Sequence, residues 1–238
     1  MESETKYSRD ILFWAGVSGI LVAFGYFIIS ICFAISGFPL PSDGESWIKY
    51  LDGKIELWNI IIWLSIITDI LYVIIAFGFI KFYENNYRFW VVLASIFFIL
   101  FVVLELAGTW SLYPTIIELY KNYTVSDSPA KQSIYLGAIE YSSTHFQTTA
   151  NAFYAIVLPS MAVIIYCLVM LIEKGFGKLI PVIGLISGTC NIVSVFGGLV
   201  YEPLEKLIMT GSFLSLFWFL GTGIKFIRES RKIIDLST

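Results

Sequence analysis

The chain has 238 residues and a formal net charge of -3; 58% of its residues are hydrophobic and 14% charged. Its mean hydropathy is +0.81. That balance excludes a soluble globular domain, and the small net charge points neither to nucleic acid nor to an acidic substrate.

Charged residues cluster between apolar runs long enough to cross about 30 Å of hydrocarbon as helices. No ten-residue alternation of a membrane barrel is present. The expectation is an all-α integral membrane bundle of six transmembrane helices in one polytopic domain, with short outer interfacial helices. The apolar run from Ile11 exceeds the 7–15 residues of a signal-peptide core, so it reads as an uncleaved first span. The six predicted spans are Ile11 to Ser36, Trp58 to Ile80, Trp90 to Leu112, Ala150 to Ile172, Leu179 to Tyr201, and Leu207 to Ile227.

Lys and Arg set the predicted orientation. One side carries Lys6, Arg9, Lys81, Arg88, Lys174, Lys178, Lys225, Arg228, Arg231 and Lys232, ten of the fifteen; Lys49, Lys54, Lys121, Lys131 and Lys206 lie on the other. The positive-inside rule then places both termini in the cytoplasm of a cell-membrane protein. Lys225, Arg228, Arg231 and Lys232 read as a stop-transfer cluster that touches anionic headgroups.

In chain order, Gly16-Val17-Ser18-Gly19 matches the GxSG pattern around the nucleophile of rhomboid proteases. Ser18 lies near the cytoplasmic end of its span, however, while the one histidine, His145, lies on the outer side. That separation argues against a Ser-His hydrolase. In the first outer segment Ser42 is the predicted N-cap of a short interfacial helix that ends at Gly53. The second outer segment has helix starts at Pro114 and Pro129. From Lys131 onward, Ile134, Tyr135, Ala138 and Ile139 share a face, on a helix that could run straight into the fourth span. Tyr113, Tyr120, Tyr123, Tyr135 and Tyr141, with Trp58, Trp63 and Trp110, read as an outer aromatic belt, and Trp14 and Trp90 as an inner one. Asn122-Tyr123-Thr124 is a glycosylation sequon.

The second span contains Asp69 and Thr68, and the third Glu105 and Thr109. A carboxyl at lipid depth costs about 2.5–3.5 kcal/mol to insert, so two on neighbouring spans suggest a site. Their positions put them within about 10 Å of each other in depth, at 1.5 Å per residue. No Lys or Arg lies at that depth, so each acid must be neutral, hold a cation or a cationic ligand, or face water. Asn191 in the fifth span belongs to this polar set, and His145, Thr148 and Asn151 form a candidate outer mouth. The competing reading is interhelical glue.

The fifth span also aligns Gly184, Ser187, Gly188, Asn191, Ser194 and Gly198. Small residues let helices approach closely in lipid, so the Gly184, Gly188 and Gly198 face is predicted to be the tightest contact of the bundle. Cys32, Cys167 and Cys190 all fall in apolar runs and read as small hydrophobes. One His and three such cysteines do not make a zinc site, and no motif indicates a cofactor.

The stretch IVLPSMAVIIYCLVMLIEKGFGKLIPVIGLISGTCNIVSVFG combines a long span, a basic turn and a Gly/Ser-rich span. Through Gly175, Phe176, Lys178, Gly184, Ser187 and Gly188 it resembles the C-terminal half of the DUF4386-type family of six-span bacterial and archaeal proteins. The resemblance implies a prokaryotic inner-membrane protein and transfers no functional residue. Three classes of function follow from the polar set: a transporter or sensor of a small-molecule ligand, with the acids at its site and a proton link; a structural or accessory membrane subunit; and a lipid-modifying enzyme. The sequence leans away from an enzyme, and beyond the lipid bilayer it names no partner.

Overall fold

The computed structural model describes residues 2–37, 40–84, 86–146, 148–173 and 175–235, with side chains from residue 7 to residue 232. Asn85 and Lys174, and the side chain of Lys6, therefore lie outside the described residues. The elements are α1 (Glu2–Ser36), α2 (Gly44–Leu51), α3 (Ile55–Phe82), α4 (Arg88–Ala107), α5 (Thr109–Thr124), α6 (Pro129–Phe146), α7 (Thr149–Ala152) with a π-turn at Phe153–Val157, α8 (Leu158–Glu173), α9 (Leu179–Gly198), a 3₁₀ turn at Glu202–Lys206, and α10 (Leu207–Asp235). No strand occurs among the described residues. Among the described residues, six helical stretches are long and apolar enough to cross a membrane: Tyr7–Ser36, Ile55–Phe82, Arg88–Thr124, Thr149–Glu173, Leu179–Gly198 and Glu202–Lys232.

These spans close into a ring. α1 packs on α3 and α10, α4 on α3 and α8, and α9 on α8 and α10. Both termini lie at one end of the ring, and α2, α6 and most of α5 form a cap at the other. Near the termini the core is a stack of Phe79 on Tyr166, with centroids 3.9 Å apart, joined by Trp218 and Phe226. Near the cap a second core holds Trp47, Trp58, Tyr113, Ile116, Tyr120 and Ile139.

The cap corrects several sequence expectations. Asp43, and not Ser42, caps α2: its Oδ1 accepts from the Ser46 backbone N–H at 2.8 Å and its Oδ2 from the Ser46 hydroxyl at 2.7 Å. A carboxylate has an oxygen for each donor, which a hydroxyl lacks. Gly53, at φ +67°, then turns the chain into α3. Lys54 reaches back to donate to Ser36 O at 2.8 Å, so the end of α1 is closed by the start of α3.

Pro114 does not start a helix. It lies inside α5, which begins at Thr109. The third span stays helical apart from a break at Gly108, where a Cβ would stand 2.5 Å from the Tyr154 hydroxyl. Pro129 does start α6. That helix ends at Phe146, and Thr148 starts a new one by accepting from Asn151 N–H at 3.1 Å, so α6 does not run into the fourth span. Its buried face is Ile139, Ser142 and Ser143, while Ile134 is 69% exposed. Trp58, Tyr113 and Tyr120 are core residues and not a belt, because the cap encloses them; Trp63, Trp14 and Trp90 are exposed.

Among the glycines, the shortest distances from a Cβ position to the backbone of another span join α1 and α10. A Cβ at Gly223 would lie 2.6 Å from Gly16 O, and one at Gly19 would lie 3.0 Å from Phe219 O. The GVSG tetrapeptide is thus a packing seam, with Ser18 buried in it. The α9 contacts are close but mostly with side chains: Gly184 faces Cys167 and Trp218, Gly188 faces Ile164 and Ser160 O, and Gly198 faces Glu205.

Candidate functional site: a carboxyl network behind a central cavity

α3 carries Asp69 inward, 1% exposed. Tyr26 of α1 donates its hydroxyl to Asp69 Oδ1 at 2.5 Å, and Trp110 of α5 donates its indole N–H to Oδ2 at 2.6 Å. Two donors aimed at one carboxyl stabilise negative charge there. On the other side of the break at Gly108, Glu105 of α4 is 7% exposed. Its Oε2 accepts from the Thr109 hydroxyl at 3.0 Å, and the same hydroxyl lies 3.2 Å from Asn151 Oδ1. Asn151 Nδ2 donates to Phe146 O at 3.0 Å. The break at Gly108 places Thr109 and Trp110, consecutive in sequence, so that one serves each acid.

The remaining polar residues have other positions. Thr68 bonds back to Leu64 O at 2.7 Å and packs against Gly25, with no hydrogen bond to either acid among those of the described residues. Thr148 caps α7, donating its hydroxyl to His145 O. His145 is exposed, with its Nε2 3.4 Å from the Tyr154 hydroxyl. Asn191 lies on α9 beside a cavity and apart from the Asp69 hydrogen bonds.

That cavity, of about 310 Å³, lies between the spans in the half of the ring nearer the cap. Its walls include Tyr26 and Trp110, the two donors to Asp69, with Tyr72, Phe101 and Phe219. Ser30, Ser65, Ser160, Ser187, Ser212 and Ser215 supply hydroxyls, and Gly188 and Asn191 supply part of the α9 wall. Among the described residues, no Lys, Arg or His lines it. On the fourth span the wall is Ala155, Ile156, Pro159, Ser160 and Val163. Proline has no N–H for Ala155 O, and the chain widens there into a π-turn closed from Leu158 N–H to Phe153 O.

Tyr26, Tyr72 and Ser65 were not singled out from the sequence, and Trp110 was assigned to the belt. The available signal was a hydrogen-bonding tip at the depth of the acids, which all four share. Among the described residues, no group of three His, Cys, Asp or Glu is placed to hold a metal.

The fold and its buried polar centre define an integral membrane protein, a six-span helical bundle with a cavity between its spans that is partly open to the surface. Searches of protein-family models, curated proteins and solved structures return no match to this chain.

Proposed function

We propose that the protein is a transporter or sensor of a small molecule, which occupies the central cavity and is coupled to the carboxyls behind it. One observation carries the reading: Tyr26 and Trp110 are cavity walls and also the two donors to Asp69. A ligand that displaces either ring changes the partners of a buried acid. Such a change links occupancy to proton or cation binding. The reading includes a cell-membrane location with cytoplasmic termini, and membership of the DUF4386-type family as the residues around Gly184 imply.

The competing reading is an accessory subunit in which the acids are glue. It has support of its own, since both oxygens of Asp69 already have protein partners. Proteoliposomes with an internal pH dye separate the two. Under an imposed proton gradient, amines, sugars and organic acids are added in turn. Solute-dependent proton movement that is lost in Asp69→Asn and Glu105→Gln, with both variants folded, is the expected result. Wild-type movement in both variants would remove the acids from the mechanism; no solute-dependent movement at all would exclude transport, and no ligand-dependent shift in Tm with the same solutes would then exclude a sensor and leave the accessory subunit.

A further inference from the structure

The basic cluster at the end of α10 divides in the structure. Lys232 donates to Glu229 Oε1 at 2.7 Å, and Lys225 lies 2.7 Å from the same oxygen. Lys225 and Arg228 also line a second cavity, of about 310 Å³, at the end of the ring that holds the termini. Gly221, Ile224, Lys225 and Arg228 follow the three-to-four spacing of one helix face, so α10 supplies one wall. The other wall is the turn Gly175-Phe176-Gly177 with Ile180 in the first turn of α9. Glycine keeps the space open. Gly177, at φ +69°, has nothing within 4 Å of its Cβ position, and Gly221 has no side chain, so Ile180 closes the floor at 2.9 Å from its Cβ position.

Charge and exposure together select the guest. Two cations line the cavity and, among the described residues, no acid does. Glu229, next to Arg228, is held by Lys225 and Lys232, while Arg228 is exposed and has no ion pair among the described residues. An ammonium carries three donors, so Lys225 can serve Glu229 and an anion together. A zwitterionic headgroup would bring its own ammonium beside the two cations. The apolar border faces lipid: Ile224 is 39% exposed and Leu179, next to Ile180, 73%, both on helices long and apolar enough to span. A soluble anion leaves that border uncovered, whereas a molecule with an anionic head and a hydrocarbon tail matches both parts.

We propose that this cavity binds a single anionic phospholipid, with its phosphate against Lys225 and Arg228 and its acyl chains over Ile224 and Leu179. The assignment is independent of what the central cavity holds.

The test is thermal unfolding of the full chain in nonionic detergent, titrated separately with dihexanoyl phosphatidylglycerol, dihexanoyl phosphatidylcholine and inorganic phosphate at constant ionic strength. Phosphatidylglycerol should raise Tm saturably. The choline lipid and inorganic phosphate should each half-saturate at about fivefold higher concentration or more. Lys225→Gln and Arg228→Gln, each read against its own lipid-free Tm, should each weaken phosphatidylglycerol about fivefold, the loss expected for one cation at a membrane surface. Arg88→Gln, an exposed cation at the start of α4 and at the same end of the ring, should leave it unchanged. If Lys225→Gln does not fold, Arg228→Gln decides alone, since its side chain is exposed. Equal weakening by Arg88→Gln would reduce the effect to general surface attraction and overturn the site. Equal affinity for inorganic phosphate would make it an anion site without a lipid. Equal affinity for the choline lipid, unchanged affinity in the Arg228 variant, or no saturable shift would also overturn the proposal.

Discussion

Asp69 shows how one buried carboxyl ties spans together: its partners come from α1 and α5 while it belongs to α3. Removing a donor leaves an acceptor without its bond in a place water does not easily reach. Tyr26→Phe and Trp110→Phe should therefore each destabilise the protein by about 1–2 kcal/mol, given the modest net value of hydrogen bonds inside membranes. Thermal unfolding in detergent measures this, and wild-type midpoints in both variants would show that the network carries no structural energy. Asp43 allows a pH prediction outside the spans. The Ser46 backbone N–H, helped by the Ser46 hydroxyl, holds its carboxyl below the usual carboxylate range. A depressed folded value means the contribution is present above the unfolded value and fades as pH falls through the folded one. Relative to their intrinsic exchange rates at each pH, the α2 amides should thus lose protection below about pH 4, and in Asp43→Ala that loss should vanish.

Among the helices, α1 and α10 make a contact with no room for added volume, because the atoms that crowd it are backbone. In lipid there is no hydrophobic drive between helices, and close packing takes its place. Gly223→Ala forces a methyl to within 2.6 Å of Gly16 O, whereas Gly137 on α6 has nothing within 4 Å of its Cβ position. Gly223→Ala should lower Tm clearly, and Gly137→Ala should leave it level or raise it by the helix-propensity gain of about 0.5–1 kcal/mol. On α9, Gly188→Leu should be more costly than Ile186→Leu, because a Cβ at Gly188 meets Ile164 at 2.7 Å and Ser160 O at 3.0 Å. Equal loss from the last two would mean that the Gly188 face does not pack.

For the whole molecule, the ring leaves both termini at one end and the aromatic cap at the other, and charge decides which end faces the cytoplasm. The ten-to-five division of Lys and Arg predicts cytoplasmic termini. With Cys190 replaced by alanine and Cys32 and Cys167 buried, a thiol reagent that cannot cross membranes should label Asp127→Cys in intact cells. Asn86→Cys should be labelled only after the cells are opened. The opposite pattern reverses the orientation.

The number and rough limits of the spans could be read from the chain, because the cost of placing each residue in hydrocarbon is local and adds along a helix. Asp69 and Glu105 were conspicuous for the same reason, as was the small-residue face of α9. What the sequence could not supply was the inward face of each span. In a soluble helix the polar side marks the outside, but here lipid and core are equally apolar, so Trp58 and Tyr113 in the core look like Trp63 facing outward. The GVSG seam against Gly223 and the pairing of Tyr26 and Trp110 around Asp69 both depend on which helices are neighbours. So does the cavity between Ser65 and Asn191. Only the closing of the ring brings those residues together, because their contacts are between spans far apart in sequence and leave no local pattern.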